Sequence, residues 1–520
     1  MLPELHELGR LAGSAEVAEL ARQANVYTPV LRTHDRYGHR IDEVEYHPAW
    51  HQLMTTAVSH GLHATPWASD APGAHVARAA KFYVWTQAEA GHGCPISMTY
   101  SIVPALRHNA ELAARFEPLL TSRTYEPGLA DPEEKVGLLA GMAMTEKQGG
   151  SDVRANTTRA VLASTGPAQV GTYLLTGHKW FCSAPMCDLF LVLAQAPGGL
   201  TCFLLPRVLS GGERNSIRLQ RLKDKLGNRS NASAEVEYDE AVAWRVGDEG
   251  AGVRTIIEMV SSTRLDCILG SAASIRQACA EAIHHASYRE VFGATLADQP
   301  AMTAVLADLV LESQAATTLA IRLAGAADRA ADGDRSEALL LRLLLPAAKH
   351  WICKRTPAVI GEALECLGGN GFIEESVMPR LYRDAPLNSI WEGSGNVTAL
   401  DLLRALRRSP DSIESLRAEL ALAAGGNSRV DRAVGALASQ LKEIAAADPA
   451  TTQSEARRLA GLITVVTQAA LLARYAPSAV SDAFCASRLD CIGGFGGPGV
   501  SFGILPRGLD LLSILERARP

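Results

Sequence analysis

The sequence predicts an α+β, mainly α, fold in four parts: an N-terminal helical domain over residues 1–136, a middle β-sandwich or small barrel over 137–246, a C-terminal helical bundle over 247–409 and an additional helical domain over 410–520. Three observations lead there. Apolar residues recur at i, i+3, i+4 and i+7 before and after the middle part, which is the helical period. Within it they fall into short runs cut by Gly, Asn and Pro, as successive strands do. No strand-helix-strand unit of about 30 residues appears, which disfavours a dinucleotide fold.

In the first part Val76, Ala79, Ala80 and Tyr83 share one helical face, punctuated by Ala71-Pro72-Gly73 and Gly91-His92-Gly93. The middle part reads as seven or eight strands, with apolar runs at Leu138 to Met144, Tyr173 to Leu175, Leu189 to Ala194, Cys202 to Leu205 and Val236 to Tyr238. After the turn Gly247-Asp248-Glu249-Gly250, Val253, Ile256, Ile257 and Val260 begin a long helix to about His285, and a second starts at Pro300. A third spans Leu339 to Leu367, where Pro346 and Pro357 predict a kink or break, because proline lacks an N–H and crowds the preceding turn. Past Ser409-Pro410 the chain is rich in Ala and Leu, with helices predicted near 412–424, 429–447, 454–474 and 508–518. Gly494, Gly496 and Gly499 spell G-x-G-x-x-G, but Arg488 to Cys491 before them is only weakly patterned and Pro498 interrupts, so they read as a surface loop.

Lys and Arg number 50 against 56 Asp and Glu, a net charge of −6, with 20% charged and 47% hydrophobic residues. That composition is globular and is neither disordered nor a basic coat for nucleic acid. At 5% aromatic residues, little material is present for stacking single-stranded bases. Ten cysteines are scattered without a C-x-x-C pair, so they read as reduced core thiols of a cytoplasmic protein. No metal is expected, since His60 and His63 have no carboxylate near them in sequence. The first twelve residues carry Glu4, His6 and Glu7 and do not read as a secretory leader. The longest apolar run, Leu459 to Ala473, has 15 residues, short of the ~20 that span a bilayer, so no membrane helix is expected.

Five stretches are chemically informative. Met142 to Val153 ends an apolar strand in a Gly pair flanked by Thr145 and Ser151; small residues let backbone approach a planar ligand while hydroxyls offer hydrogen bonds. Lys179 to Pro185 sets an aromatic pair before Ser183, Tyr288 to Gly293 closes the long helix, and Cys366 to Phe372 is glycine-rich. Arg383-Asp384 is followed by Asn388 to Asn396, which places Glu392 beside Ile390, Trp391 and small residues. A carboxylate in an apolar niche becomes a better general base. Each stretch also has a plainer reading: hairpin loop, strand core, helix C-terminus, glycine turn and exposed helix-start acid.

Together, in this order and spacing, the five resemble the acyl-CoA dehydrogenase superfamily of flavoproteins over residues 75 to 405: T-E-x-x-x-G-S-D, K-x-(W/F)-(I/C)-(T/S), R-x-x-F-G, G-G-x-G-(F/Y), then R-D and (Y/W)-E-G. The strings at 141–153, 221–232 and 388–396, and the extension beyond residue 410, resemble its AidB-like branch, the flavoproteins of the bacterial response to alkylating agents. One departure is read at the front, where that branch's extra N-terminal arm is missing.

The resemblance implies FAD as cofactor. Met142, Met144, Thr145, Gly150 and Ser151 would line the flavin, with Phe181, Cys182 and Ser183 on its face and N5 edge. Arg289 and Phe292 would reach the FAD of a neighbouring subunit, and Gly368, Gly369 and Gly371 would lie near the adenine-side phosphates. Ile390, Trp391, Gly393, Ser394, Gly395 and Asn396 would lie across the flavin. A cofactor shared between subunits implies a homotetramer, a dimer of dimers. Glu392 takes the place of the base that removes the α-proton of an acyl-CoA thioester, the β-hydride passing to flavin N5, with Arg264 and Trp391 on the substrate side. Some relatives carry the base immediately before the Arg of an R-L pair, but here that residue is Thr263, which leaves Glu392 as the sole candidate. An electron-transfer flavoprotein is the acceptor such an enzyme would use.

Two alternatives stay open: a flavoprotein that binds and protects duplex DNA, its dehydrogenase activity weak or vestigial, and a non-catalytic binder of an acyl chain or acyl-CoA. Residues 412–520 hold eleven Lys and Arg against ten Asp and Glu, a poor footprint for phosphate, although Arg429, Arg432, Arg457 and Arg458 would form a stripe in an assembly.

Overall fold

A computed structural model describes residues 2–163, 171–490 and 501–519, in two compact units, Met1–Asp266 and Cys267–Pro520. The glycine triplet at 494, 496 and 499 lies outside the described residues.

The first unit opens with α1 (Leu2–Ala12) and α2 (Ala15–Val26), a hairpin of β1 (Val30–His34) and β2 (Arg40–Glu45), then α3 (Pro48–Ser59), α4 (Ala74–Thr86), α5 (Gly93–Leu106) and α6 (Ala110–Leu120). The hairpin is a departure from the all-helical expectation. Its strands carry Arg32, Arg40, Glu43 and Glu45 where a readable strand alternates apolar residues, so the signal lies in the turn. There Asp35 accepts hydrogen bonds from the amides of Tyr37 (2.8 Å) and His39 (2.9 Å), and Gly38 takes φ 88°.

Seven strands follow: β3 (Ala140–Ala143), β4 (Arg159–Leu162), β5 (Thr172–Ser183), β6 (Leu189–Ala196), β7 (Gly199–Pro206), β8 (Ile217–Leu222) and β9 (Ser233–Val246). Of the two predicted forms, the pairing selects the barrel. The path β6-β4-β5-β9-β7 returns to β6, closing a ring of five strands, with β3 parallel to β6 and β8 antiparallel to β9. β6 and β7 are buried on both faces, which explains why they read as continuous apolar runs. Thr99 ties α5 to the barrel: its hydroxyl accepts from the Ala140 amide (2.9 Å) and donates to the Pro95 carbonyl (2.7 Å).

α7 (Gly252–Tyr288) crosses the boundary between the units. The second unit continues with α8 (Pro300–Ala331), α9 (Arg335–Cys366), α10 (Gly369–Phe372), α11 (Met378–Asp384), α12 (Gly395–Arg408), α13 (Asp411–Ala421), α14 (Ser428–Ala446), α15 (Pro449–Tyr475), α16 (Ser478–Arg488) and α17 (Leu511–Glu516). Of the kink or break predicted in α9, the break does not occur: one helix runs through Pro346 and Pro357. Each proline removes one ladder bond, but Leu343, Leu344, Leu345, Ala347, Ala348, Ile352, Val359 and Ile360 are all buried along it, and that packing outweighs the loss. α16 is missing from the sequence reading although Val480, Ala483 and Phe484, all buried, recur at i, i+3 and i+4; at 11 residues it carries that stripe for one turn only.

Helices α13 to α17 fold into the same unit as the bundle. Glu419 of α13 pairs with Arg322 (2.7 Å) and Arg474 (2.8 Å), and buried Arg488 of α16 pairs with Asp308 and Glu312 of α8. α8 and α15 are long and apolar enough to cross a membrane, yet 67% and 83% of their most apolar windows are buried against protein. The nine described cysteines are all buried, and none is joined in a disulfide.

Candidate functional site

In the barrel, the first informative stretch is pinned by an ion pair with no solvent access. Glu146 accepts from Lys179 (2.8 Å), from the amides of Thr157 (2.6 Å) and Thr158 (3.1 Å) and from both of their hydroxyls. Lys179 also donates to the Leu193 carbonyl (2.7 Å). Burial alone would push the Glu146 carboxyl up; Lys179 and the threonine donors outweigh it and bring it down to about 2. The Trp180 amide donates to the Thr145 carbonyl (2.8 Å), fastening the loop to β5. Thr145 and Met144 are half-buried, Met142 buried and Ser151 exposed. A Cβ on Gly150 would lie 2.5 Å from the Thr145 hydroxyl, so any larger residue there would have to displace the Thr145 side chain.

Strand alternation separates the next three residues. Phe181 is 48% exposed and Cys182 is buried, its thiol pushed by desolvation to about 12. Ser183 is half-buried, with its hydroxyl 3.1 Å from that of Ser233. Cys182 therefore offers backbone, not sulfur, to anything on the Phe181 side. The Lys223 ammonium lies 3.5 Å from the centre of the Trp180 ring.

In the second unit, Glu392 is half-buried in the turn before α12, at φ 55°, with Gly393 at φ 97°. Lys349 of α9, only 1% exposed, donates to the carbonyls of Trp391 and Gly393, both at 2.8 Å. His350 bonds the Gly395 carbonyl through Nδ1 (3.0 Å); burial, aided by Arg457, Lys354 and Lys349, brings its imidazole down to about 4 despite that bond. The Trp391 indole donates to Asn388 Oδ1 (2.8 Å), whose amide donates to Ser271 Oγ (3.1 Å). Ile390 and Asn396 are exposed, Ser394 is half-buried and Gly395 is buried. Sequence reasoning missed Lys349, His350 and Ser271. The signal available was a Lys-His pair inside the apolar stretch from Leu343 to Ile352.

Gly368 ends α9 at φ 58°; Gly368 and Gly369 are exposed and Gly371 is buried. Arg289 is exposed, and Phe292, 98% exposed at φ 52°, sits with Gly293 at the tip of a tight hairpin between Glu290–Val291 and Ala294–Thr295. Thr263 and Arg264 are buried on α7. The four arginines of the predicted stripe divide. Arg429, Arg432 and Arg458 line a cleft of about 720 Å³ between α14 and α15, shared with Glu443 and Asp490. Asp490 pairs with Arg429 (2.7 Å) and Arg432 (3.4 Å), and Arg458 pairs with Glu455 (3.4 Å). Arg457 turns away to donate to Asn396 Oδ1 (2.7 Å). Among the described residues no three His, Cys, Asp or Glu side chains gather as a metal site.

Residues 1–127 match the N-terminal domain of the adaptive response protein AidB, 141–241 the middle domain of acyl-CoA dehydrogenases and 250–407 their C-terminal domain. The departure read at the front therefore does not extend to that N-terminal domain. AidB of Escherichia coli (strain K12) is 47% identical over 495 residues, covering 94% of this chain and 88% of that one. Of solved structures, the apo form of Bd2924 superposes with TM-score 0.83 at 30% identity, over 92% of this chain and 93% of that one. ACDH-11 of Caenorhabditis elegans in complex with C11-CoA gives 0.82 at 29% identity, over 91% and 85%.

Proposed function

This chain belongs to the acyl-CoA dehydrogenase family, in its AidB-like branch, and from that premise we propose that it oxidises an acyl-CoA thioester between Cα and Cβ with Glu392 as base. Its cofactor is FAD, and the barrel residues fit it. Gly150 and Ser151 are exposed beside Thr145, Gly150 with no side chain to cover its backbone, and Phe181, 48% exposed, presents an aromatic face. Bound FAD supplies the acceptor for the β-hydride. The protein's own task is to take the weakly acidic α-proton, which demands a carboxylate held still and partly desolvated. The observation that carries this reading is the Glu392 turn: a half-buried carboxylate in a left-handed conformation, with both flanking carbonyls locked to a buried ammonium. Trp391, fixed by Asn388, would form a wall that limits the acyl chain.

Anaerobic titration with a panel of acyl-CoAs tests the reading. The flavin band should bleach in the wild type, and Glu392→Gln should keep FAD but lose bleaching, because an amide cannot accept the proton. Bleaching of Glu392→Gln at the wild-type rate would move the base elsewhere, and a wild type that binds acyl-CoA without bleaching would be a binder. A second reading, an AidB-like flavoprotein that binds duplex DNA, is favoured by one observation: Arg429, Arg432 and Arg458 line a single cleft.

A further inference from the structure

We propose that Lys349 is a positioning residue for the Glu392 carboxylate, clamping the turn that carries it; the inference rests on the reading of Glu392 as base. A lysine shut inside a helical bundle is costly unless its ammonium is fully engaged. Here it is spent on two main-chain oxygens, those of Trp391 and Gly393, which bracket Glu392. The next residue of α9, His350, bonds the Gly395 carbonyl, so one Lys-His pair holds the carbonyls of residues 391, 393 and 395.

The backbone needs such a hold. Glu392 has φ 55°, in the left-handed region that is disfavoured for any residue but glycine. Such a residue persists only where its surroundings over-determine it. With both flanking peptides drawn to one ammonium, the backbone from which the Cα–Cβ bond of Glu392 departs is held in place. The indole of Trp391, tied to Asn388 and through it to Ser271, fixes the neighbouring side chain independently. Lys349 thus sets the direction in which the Glu392 side chain leaves the backbone, and the Asn388-Ser271 pair sets the wall beside it.

The test uses FAD-loaded full-length protein. Lys349→Met keeps length and apolar stem but removes donors and charge. Its rate of flavin bleaching should fall by roughly tenfold to hundredfold, the loss expected from misplacing a reacting group by about an ångström. The half-saturating acyl-CoA concentration should move less than about threefold, because an aimed base acts in the transition state and not on binding. Lys349→Arg, which keeps the charge and donors, should recover part of the rate. Hydrogen exchange provides a readout independent of turnover: amides of residues 391–396 should exchange at least about tenfold faster in Lys349→Met, while those of α9 and the barrel stay unchanged. If Lys349→Met does not fold, Lys349→Gln, which retains a donor, takes its place in both measurements. Wild-type exchange across 391–396, or a wild-type bleaching rate in Lys349→Met, would overturn the assignment. If Glu392→Gln bleaches normally, the base reading fails, and the exchange data still decide whether Lys349 holds the turn.

Discussion

Glu146 and Lys179 have no solvent access, and neither could be buried alone. Losing one partner strands the other's charge, so Lys179→Met should cost about 3–5 kcal/mol in chemical denaturation, while the double change Glu146→Gln with Lys179→Met should cost clearly less. Acid should act in two windows. His63 and His350 are held neutral in the fold, at about 4 against an ordinary 6.5. The unfolded chain binds their protons first, and stability is lost as pH falls from 6.5 toward 4, offset in part by buried Asp188, whose carboxyl desolvation pushes up to about 6. Glu146 sits at about 2 against 4.5, so its contribution, present above 4.5, is lost as pH falls on toward 2. A melting temperature that is flat between pH 6.5 and 4 would contradict the first window; Glu146→Gln should selectively flatten the second. The sequence marked Glu146 and Lys179 as motif positions but not as partners, because 33 residues of chain separate them and only the β5 register joins them.

At the level of elements, α9 connects packing to chemistry. Its C-terminal turn is closed by glycines with different duties. A Cβ on Gly371 would overlap the Leu364 carbonyl oxygen, whereas one on Gly369 meets nothing within 4 Å. Gly371→Ala should therefore destabilise by about 1–3 kcal/mol, the usual cost of overpacking, and Gly369→Ala should be close to neutral in the same denaturation series. Equal effects would mean that the turn relaxes around either methyl. The prolines of α9 show why element boundaries are hard to read. A local rule predicts a break at Pro346, and only the burial of its neighbours on both sides shows that the helix survives. The β1-β2 hairpin fails in the opposite direction, since its charged strands carry no periodic signal and its turn is local.

For the whole molecule, assembly and the C-terminal helices carry the predictions. Phe292 is exposed at the tip of its hairpin and Arg289 is exposed just before the first strand of that hairpin. Arg289→Ala should loosen FAD and lower the mass seen by light scattering together, if a homotetramer shares its cofactors. Unchanged flavin content and mass would make it a surface residue. Removing everything after Ser409 is not a clean test of DNA binding, because it would strip Arg488 from buried Asp308 and Glu312 and take Glu419 from Arg322. The truncated chain should aggregate or melt well below the full chain. Charge reversal at Arg429 and Arg458 leaves that framework in place; it should weaken a low-salt mobility shift on duplex DNA and flatten its salt dependence by up to about two units. No shift with the intact protein would end the DNA reading.

What the sequence determined by itself was whatever is written in consecutive residues. The helical and strand periods located the barrel between two helical regions, and five short strings, read together, identified the family and nominated Glu392. Tertiary structure alone decided the rest. It chose barrel over sandwich through the β6-β7 and β4-β6 pairings, turned Cys182 inward and Phe181 outward, sent Arg457 to Asn396 instead of a basic stripe, and brought Lys349 under a turn 43 residues further along the chain. The physical reason is the range of the forces involved: propensity and periodicity act over a few residues, whereas a buried ammonium takes whichever carbonyls the packed helices bring within about 3 Å.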